Sequence, residues 1–315
     1  MSSMRSLLDL DVYKLTMAQY AYHYHRDVVV EYKFINRRPT QRLADFIDIH
    51  DLRFELSQWR NVSLQPLEIE YLKSMGVFTD EFLGFLSRVG GHIVNLPIVD
   101  VKPTENGQYE ITTTGPWPIA ILWETIILSL VNEMYYAKQN VVEDYAIAML
   151  MNKIEILKDN PQIKFVEFGT RRRYSKKWQE YINVVLSSYL SPKQFLGTSN
   201  VNLAFQYNIP IFGTFAHELP MVNAGIIGAE ALLAESQNFA FDKWFLMYGE
   251  KLAMCLPDTF TSEHTFKTFG QIRARNWRGF RQDSGDPFVF GRRLLDKYQE
   301  WGWMLKQKLL CLATI

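Results

Sequence analysis

Short polar clusters follow apolar runs at five places in the second half of this 315-residue chain. The five segments are FVEFGTRRR (165–173), QFLGTSN (194–200), IPIFGTFAHE (209–218), LAMCLPDTFT (252–261) and GFRQDSGDP (279–287). Each is separated from the next by about one strand and one helix, which is typical of a parallel sheet that often closes into a barrel. Because active sites of such barrels lie at the carboxyl ends of the strands, the Arg, Thr, Ser, Asn, His and Asp side chains are expected to converge. This set favours an anionic, phosphate-bearing substrate.

His217 is the strongest single candidate for catalysis, because it ends the third apolar run. The carboxylate of Glu218 is expected to orient its imidazole. A hydrogen-bonded structural histidine is the alternative, but the position at the carboxyl end of a strand favours function. The remaining histidines are interpreted as structural: His23, His25, His50, His92 and His264.

Three consecutive arginines, Arg171 to Arg173, follow the first apolar run. Guanidinium groups bind carboxylates and phosphates through two parallel hydrogen bonds. A solvated helix start is the alternative interpretation, but positive charge in the first turn of a helix opposes the helix dipole. We therefore expect an anion bound between these arginines and free backbone N–H groups. Gly-Thr pairs at 197–198 and 213–214 add hydroxyl groups and allow close backbone approach.

The segment RQDSGDP places two carboxylates, Asp283 and Asp286, beside Arg281. A carboxylate here is expected to bind a magnesium ion that bridges phosphates, or to accept hydrogen bonds from sugar hydroxyls. The alternative is a turn followed by a helix cap. Asp286 precedes Pro287 and fits the cap, whereas Asp283 fits the site.

Other classes of chemistry are disfavoured, because the sequence has no Walker loop, GxGxxG after a strand, HExxH, paired CxxC or GxSxG. These absences argue against serine nucleophiles, nicotinamide dinucleotide redox chemistry and zinc. The formal net charge is zero, so nothing global favours a nucleic-acid partner. Two cysteines without framework spacing indicate a reducing, cytoplasmic location. No signal peptide is recognised, and no apolar stretch approaches the roughly 18 residues that span a membrane, so no membrane partner is expected.

A change of rhythm near residue 150 predicts an α/β protein with two domains, over residues 1–150 and 151–315. The first is expected to be α+β and the second to repeat strand–helix units. Expected within the first are a helix over 10–25, a strand over 28–38, helices between about 40 and 90, antiparallel strands around a turn at 105–107, and a mostly helical stretch over 118–151.

Several motifs occur in a characteristic order: LLDLDVYKLTMAQ, VEYKFINRR, GPWPIAILWETIILSLVNE, EFGTRRRYS, GTSNVNLA, GTFAHELPM, DTFTSE and FRQDSGDPFVFG. From about residue 6 to about residue 301 the chain resembles the nicotinate phosphoribosyltransferase family. The resemblance implies an N-terminal α+β domain and an irregular TIM-like barrel of the type II phosphoribosyltransferases. It also implies a head-to-tail homodimer with its sites at the subunit interface.

The resemblance further implies a ligase-type reaction in NAD salvage. Nicotinate and 5-phosphoribosyl 1-diphosphate would give nicotinate mononucleotide and diphosphate, driven by hydrolysis of ATP with Mg²⁺. His217 would be phosphorylated by ATP, Arg281 would bind the nicotinate carboxylate, and Asp283 would contact the ribose hydroxyls.

The substrate contacts implied for the remaining residues concern the pyridine ring and the phosphates. Phe168 would stack on the pyridine, with Tyr13 of the partner subunit on its other face, and Arg171 would meet the phosphates. Thr198 and Ser199 would lie beside the pyridine. Because nicotinamide-using relatives carry aspartate where this chain has Ser199, the resemblance favours the acid as substrate over the amide.

The resemblance is expected to end after Trp301, where WMLKQKLLCLATI replaces an SDGL-type strand end and a glycine-rich phosphate loop. The chain is therefore interpreted as a C-terminally truncated or frameshifted copy with an incomplete barrel, expected to be poorly soluble and inactive. An inactive copy and a nicotinamide-using phosphoribosyltransferase are the alternatives.

Overall fold

The structure, a computed structural model, describes residues 5–90, 97–139, 143–228, 230–302 and 309–312. His92 and most of the segment after Gly302 lie outside these ranges. The chain divides into two compact units, Met1–Gly213 and Thr214–Ile315. The domain boundary predicted near residue 150 stays a prediction. The division by compactness groups the first two parallel strands with the N-terminal part.

The first unit is built around a buried helix, α1 (Val12–Tyr24), in which every residue from Val12 to Tyr22 is buried. An antiparallel sheet follows, with strand order β1–β3–β2. Its strands are β1 (Val29–Lys33), β2 (Val99–Pro103) and β3 (Tyr109–Pro116). The turn predicted at 105–107 joins β2 to β3, and Gly107 adopts the positive φ of 73° that such a turn favours. The predicted helix, antiparallel strands and turn are confirmed, but β1 covers only residues 29–33 of the strand predicted over 28–38.

Helices fill the rest of this part of the chain, as the apolar spacing predicts. They are α2 (Ile49–Gln58), α3 (Pro66–Ser74), α4 (Asp80–Leu86), α5 (Trp117–Ala120), α6 (Trp123–Tyr136) and α7 (Glu143–Lys158). The stretch Trp117–Tyr136 is long and apolar enough to cross a membrane by length and composition, so the expectation that none approaches this length was wrong. Two thirds of it (67%) is buried inside the structure, as in a core helix, which makes it weak evidence for a membrane span.

Two parallel strands complete the first unit, β4 (Phe165–Glu167) and β5 (Phe195–Thr198), joined by α8 (Lys176–Tyr189). After β5 comes α9 (Val201–Tyr207). The next predicted strand, over 209–214, is only an isolated bridge between Ile211 and Thr198. The prediction fails there because Pro210 has no N–H to donate and because Gly213 packs against α1, where an added Cβ would lie 2.4 Å from Val12.

The second unit continues the alternation of helices and parallel strands. Its elements are α10 (Glu218–Ile227), α11 (Glu230–Tyr248), β6 (Met254–Cys255), α12 (Ser262–Thr268), α13 (Gly270–Asn276), β7 (Gly279–Gln282), α14 (Pro287–Glu300) and β8 (Leu309–Leu312). The strands pair in parallel in the order β6–β7–β8. Phe215, Phe241, Trp244, Trp277 and Phe280 form an aromatic core behind them.

The parallel strands form one sheet of two and one of three within the described ranges, and they do not close into a barrel there. This agrees with the predicted α/β class and incomplete barrel. The helix cap predicted at Asp286 is confirmed, because its carboxylate accepts from the backbone N–H groups of Phe288 and Val289.

Candidate active site

His217 lies beside a carboxylate that the second unit brings from a neighbouring strand end. The residue immediately precedes α10, and its Nε2 is 2.9 Å from Asp258 Oδ1, where Asp258 follows β6. The other oxygen of Asp258 accepts a hydrogen bond from the hydroxyl of Ser284, which follows β7. About a third of the His217 side chain is exposed (34%), compared with 10% for Asp258. The segments before α10, after β6 and after β7 thus bring together a partly exposed imidazole and a carboxylate that accepts a hydrogen bond from Ser284.

The electrostatics of this cluster keep Asp258 ionised. Burial acts to raise the pKa of Asp258, but hydrogen bonds from His217 and Ser284 outweigh it, and the pKa is lowered. An ionised carboxylate that accepts from one imidazole nitrogen fixes the ring orientation and leaves the other nitrogen without that proton. The geometry is therefore that of an oriented imidazole nucleophile or base.

Glu218 was expected to orient His217, and that expectation is corrected: the orienting carboxylate is Asp258, 41 residues further along the chain. Glu218 is the first residue of α10, where an acidic side chain complements the helix dipole. Asp258 is a candidate site residue that sequence reasoning missed. The available signal was its place at the end of the fourth apolar run, the same position that singled out His217.

Arg281 and Asp283 lie together at the end of β7. Arg281 Nε is 3.6 Å from Asp283 Oδ1, and its Nη1 is 3.4 Å from the hydroxyl of Thr214, the second residue of a Gly-Thr pair. The side chains are 21% and 35% exposed. These are long contacts on partly exposed groups. Their partial exposure makes the guanidinium a candidate for binding an anion and the carboxylate a candidate for binding a hydroxyl or a cation.

In the first unit, Arg173 is committed to the protein itself. Its Nη1 and Nη2 donate to the two oxygens of Asp9 at 2.7 and 2.9 Å, and its Nε donates to Glu133 at 2.7 Å. α8 begins only at Lys176, capped by Ser175, so the arginines are not in its first turn. The argument that an anion must relieve a conflict with the helix dipole is therefore wrong at Arg173. Protein carboxylates neutralise this charge.

Arg171 is more open than Arg173, although it too is paired. Its Nη1 donates to Glu124 at 3.0 Å, and its Nε is 3.4 Å from Asp11 Oδ2. A third of the side chain (34%) stays exposed, and the guanidinium lies 5.5 Å from the centre of the Tyr13 ring. Arg171 therefore remains a candidate for binding phosphate.

The two aromatic residues implied for the pyridine differ in exposure. Phe168 is 44% exposed, whereas Tyr13 is 3% exposed in the single chain and its ring lies beside Arg171 of the same chain. The exposed Phe168 fits a stacking face. The contribution of Tyr13 from a partner subunit stays a prediction.

Thr198 and Ser199 are fully buried, and their hydroxyls are used inside the protein. Thr198 donates to Glu167 Oε2 at 2.8 Å, and Ser199 donates to Asp11 Oδ1 at 2.6 Å. Burial raises the pKa of Asp11, with Arg171 and Ser199 opposing it. Both residues lie at the end of β5, as expected. Their hydroxyls, however, donate to the carboxylates of Glu167 and Asp11, to which the sequence assigned no role in the site.

Magnesium was expected at these strand ends. Among the described residues, no three His, Cys, Asp or Glu side chains group as a metal cage. The partly exposed carboxylate of Asp283 fits a different arrangement, in which one protein carboxylate and substrate phosphates share the ion.

Two family models match the chain. The nicotinate phosphoribosyltransferase (NAPRTase) N-terminal domain matches residues 8–132, and the nicotinate phosphoribosyltransferase (NAPRTase) family matches residues 163–312. The second match runs past Trp301, where the resemblance was expected to end. Its last residues coincide with β8, which extends the parallel sheet beside β7.

Relatives of known name agree with the family models. The chain is 34% identical over 313 residues to the nicotinate phosphoribosyltransferase of Verminephrobacter eiseniae, covering 94% of this chain and 74% of that protein. The crystal structure of the Porphyromonas gingivalis nicotinate phosphoribosyltransferase superposes with a TM-score of 0.88 at 26% identity, covering 98% and 78% of the two chains. A putative nicotinate phosphoribosyltransferase from Saccharomyces cerevisiae gives 0.85 at 29% identity, covering 98% and 77%.

Proposed function

The chain belongs to the nicotinate phosphoribosyltransferase family, and on that premise we propose that it is the enzyme of NAD salvage that joins nicotinate to 5-phosphoribosyl 1-diphosphate. The products are nicotinate mononucleotide and diphosphate. The observation that carries this proposal is the partly exposed His217 held by Asp258, whose second oxygen accepts from Ser284. That cluster provides an oriented imidazole in the segment that gave the family resemblance.

The imidazole of His217 is proposed to accept the γ-phosphoryl group of ATP. The bond between phosphorus and the bridging oxygen breaks, a nitrogen–phosphorus bond forms, and ADP leaves. Because Asp258 accepts a hydrogen bond from Nε2, the lone pair that attacks is assigned to Nδ1. Hydrolysis of this phosphohistidine releases phosphate and supplies the free energy for the coupled phosphoribosyl transfer.

Mg²⁺ is proposed to accompany the phosphates of the nucleotide and of the sugar diphosphate. Asp283 supports this because its carboxylate is partly exposed and its contact to Arg281 is long, at 3.6 Å. When bound, the ion neutralises charge on the phosphates. The same carboxylate of Asp283 is also proposed to accept hydrogen bonds from the ribose hydroxyls.

Nicotinate is proposed to place its carboxylate on the guanidinium of Arg281, as a charge-assisted pair of hydrogen bonds. Phe168 is assigned to the pyridine ring and Arg171 to phosphate, on the strength of their exposure. Tyr13 of the partner subunit is proposed for the second face of the ring, in a homodimer.

Nicotinate is favoured over nicotinamide because position 199 is held as a neutral serine. The hydroxyl of Ser199, which donates to Asp11 at 2.6 Å, adds no charge at this position, whereas an aspartate there would repel the carboxylate of nicotinate. A cytoplasmic location is proposed as well, supported by the buried free thiol of Cys255.

The test is a direct assay of the purified chain with 5-phosphoribosyl 1-diphosphate, Mg²⁺ and either nicotinate or nicotinamide, with and without ATP. We expect nicotinate mononucleotide, formed faster when ATP is present, and little product from nicotinamide. Nicotinamide as the better substrate would support the amide-using alternative. A folded chain that forms neither mononucleotide would overturn the proposed function.

A further inference from the structure

We propose that Glu167 is a positioning residue for the pyridine end of the substrate. It holds the turn that carries Phe168 and the end of β5 in one fixed arrangement. This inference rests on the proposed function, and Glu167 is the first residue of the motif EFGTRRRYS, to which the sequence assigned no role of its own. Four donor groups converge on its carboxylate, from β5, from α8 and from the turn that follows β4.

The first contact fixes the turn around Phe168. Glu167 Oε1 accepts from the backbone N–H of Gly169, two residues further on, which closes a turn with Phe168 at its centre. A Cβ atom at Gly169 would lie 2.5 Å from that same oxygen, so a larger residue at this position would displace the carboxylate from its present place. The turn leaves the Phe168 ring 44% exposed. The carboxylate of Glu167 thus holds the backbone on which the exposed Phe168 is carried.

The second contact fixes the end of β5. Glu167 Oε2 accepts from the hydroxyl of Thr198 at 2.8 Å, and the backbone oxygen of Glu167 accepts from Ser199 N at 2.9 Å. Main chain and side chain of one residue therefore bind the two positions that the family resemblance places beside the pyridine. A shift of Glu167 moves Phe168 and β5 relative to each other.

The third set of contacts joins the carboxylate of Glu167 to α8. Gln179 Nε2 donates to both oxygens at 3.1 and 3.0 Å, and Asn183 Nδ2 donates to Oε2 at 3.2 Å. Both side chains belong to α8 and are buried. An ionised carboxylate accepts at both oxygens, which matches this set of donors. In Glu167→Gln, one amide N–H₂ would face donors instead, so the arrangement cannot persist unchanged.

The matched control is Gln194, which immediately precedes β5 and hydrogen-bonds at its amino end, opposite to the end that Glu167 contacts. Its Nε2 donates to the backbone oxygens of Leu157 at 2.6 Å and Asn160 at 3.1 Å, and it is 4% exposed. Gln194→Ala removes buried hydrogen bonds from the amino end of β5 and leaves the carboxyl end intact. A loss of stability without loss of positioning is therefore expected from this variant.

The test compares steady-state kinetics of wild type, Glu167→Gln and Gln194→Ala, with Tm measured for each. We expect both variants to lose thermal stability. The KM for nicotinate should rise on the order of tenfold in Glu167→Gln and less than twofold in Gln194→Ala. The KM for 5-phosphoribosyl 1-diphosphate should change less than that for nicotinate. Equal nicotinate KM values in the two variants would overturn the proposal.

Single substitutions of Thr198 keep the test decisive if Glu167→Gln folds poorly, and a double-mutant cycle extends it if that variant folds. Thr198→Val removes the hydroxyl that donates to Glu167, and Thr198→Ser retains it, so the nicotinate KM should rise several-fold more in Thr198→Val than in Thr198→Ser. When both sites are changed, Glu167→Gln with Thr198→Val should be no worse than the more damaging single change. Fully additive effects would contradict action through Thr198. A wild-type chain without activity would instead refute the proposed function itself.

Discussion

The two units use the same residue types at strand ends in different ways. Near β4 and β5, Arg173 is 7% exposed and makes close bonds to Asp9 and Glu133. Near β7, the side chain of Arg281 is 21% exposed, and its contacts to Asp283 and Thr214 are 3.6 and 3.4 Å. A strand-end arginine is therefore part of the fold where close carboxylates bury it, whereas the more exposed side chain of Arg281 can be reached by a ligand.

The carboxylates show the same contrast. Asp9 is buried, and the charge of Arg173 and its hydrogen bonds hold the pKa of Asp9 at about 2 against the opposing effect of burial. Asp258 instead supports an imidazole that is one third exposed. Buried pairs such as the first belong to the architecture, whereas the second arrangement can take part in chemistry. The following predictions test this division, from the largest expected effect to the smallest.

Arg173→Met should lower the free energy of unfolding by about 3–5 kcal/mol, because it leaves the buried carboxylate of Asp9 without its partner. Urea unfolding measures this loss. The matched control is Arg293→Met, which breaks a pair with Glu263 in which both side chains are about half exposed, at 53% and 44%. Surface pairs contribute about 0–1 kcal/mol. Comparable losses in the two variants would mean that burial does not separate the two kinds of arginine.

Asp258→Asn should reduce the rate of nicotinate mononucleotide formation on the order of a hundredfold, because the imidazole of His217 loses its ionised partner. Ser284→Ala removes only one hydrogen bond to Asp258 and should cost less than tenfold. Steady-state assays at equal concentrations of folded protein provide the comparison. A variant Asp258→Asn with wild-type turnover would remove Asp258 from the mechanism.

Acid should weaken the first unit through Asp9. A carboxyl whose folded-state pKa is lowered from 3.8 to about 2 stabilises the fold above about pH 4 and loses that contribution as pH falls toward 2. The shift corresponds to about 2 kcal/mol. The difference in unfolding free energy between wild type and Asp9→Asn should therefore shrink by about that amount from pH 5 to pH 2. The raised pKa of Asp11 acts in both proteins and cancels in the difference.

Arg281→Lys should raise the KM for nicotinate on the order of tenfold, because lysine cannot form the planar two-bond contact with a carboxylate. Arg278→Lys, an exposed position just before β7, is the matched control and should leave the kinetics unchanged. Nicotinate kinetics that are the same in both variants would place Arg281 away from the substrate carboxylate.

Local features of the fold were predictable from sequence, and distant pairings were not. The cap at Asp286 follows from SGDP alone, because the bonds reach only two and three residues ahead. By contrast, the Asp9–Arg173 pair joins residues 164 apart, and the His217–Asp258 pair joins residues 41 apart. Neither spacing follows from strand or helix periodicity. The sequence therefore predicted the position of His217. It predicted Glu218 as the carboxylate that orients the imidazole, whereas in the fold Asp258 lies there.

The missing strand over 209–214 illustrates a second limit. Its apolar residues fit a strand, yet pairing stops after a single bridge at Ile211. The cause is the proline at 210 and the close approach of Gly213 to α1, which is a tertiary contact. The polar cluster that follows this segment is nevertheless where His217 lies. The motif therefore predicted the position of His217 correctly even though the strand predicted before it does not form.

The measurement that tests the central claim most directly is identification of the phosphorylated atom after incubation with ATP and Mg²⁺. Mass spectrometry under alkaline conditions, followed by NMR of the ¹⁵N-histidine-labelled protein, should place one phosphate on Nδ1 of His217. The label should disappear in His217→Asn and decrease in Asp258→Asn. A phosphate that persists in His217→Asn, or that resides on Nε2, would contradict the account.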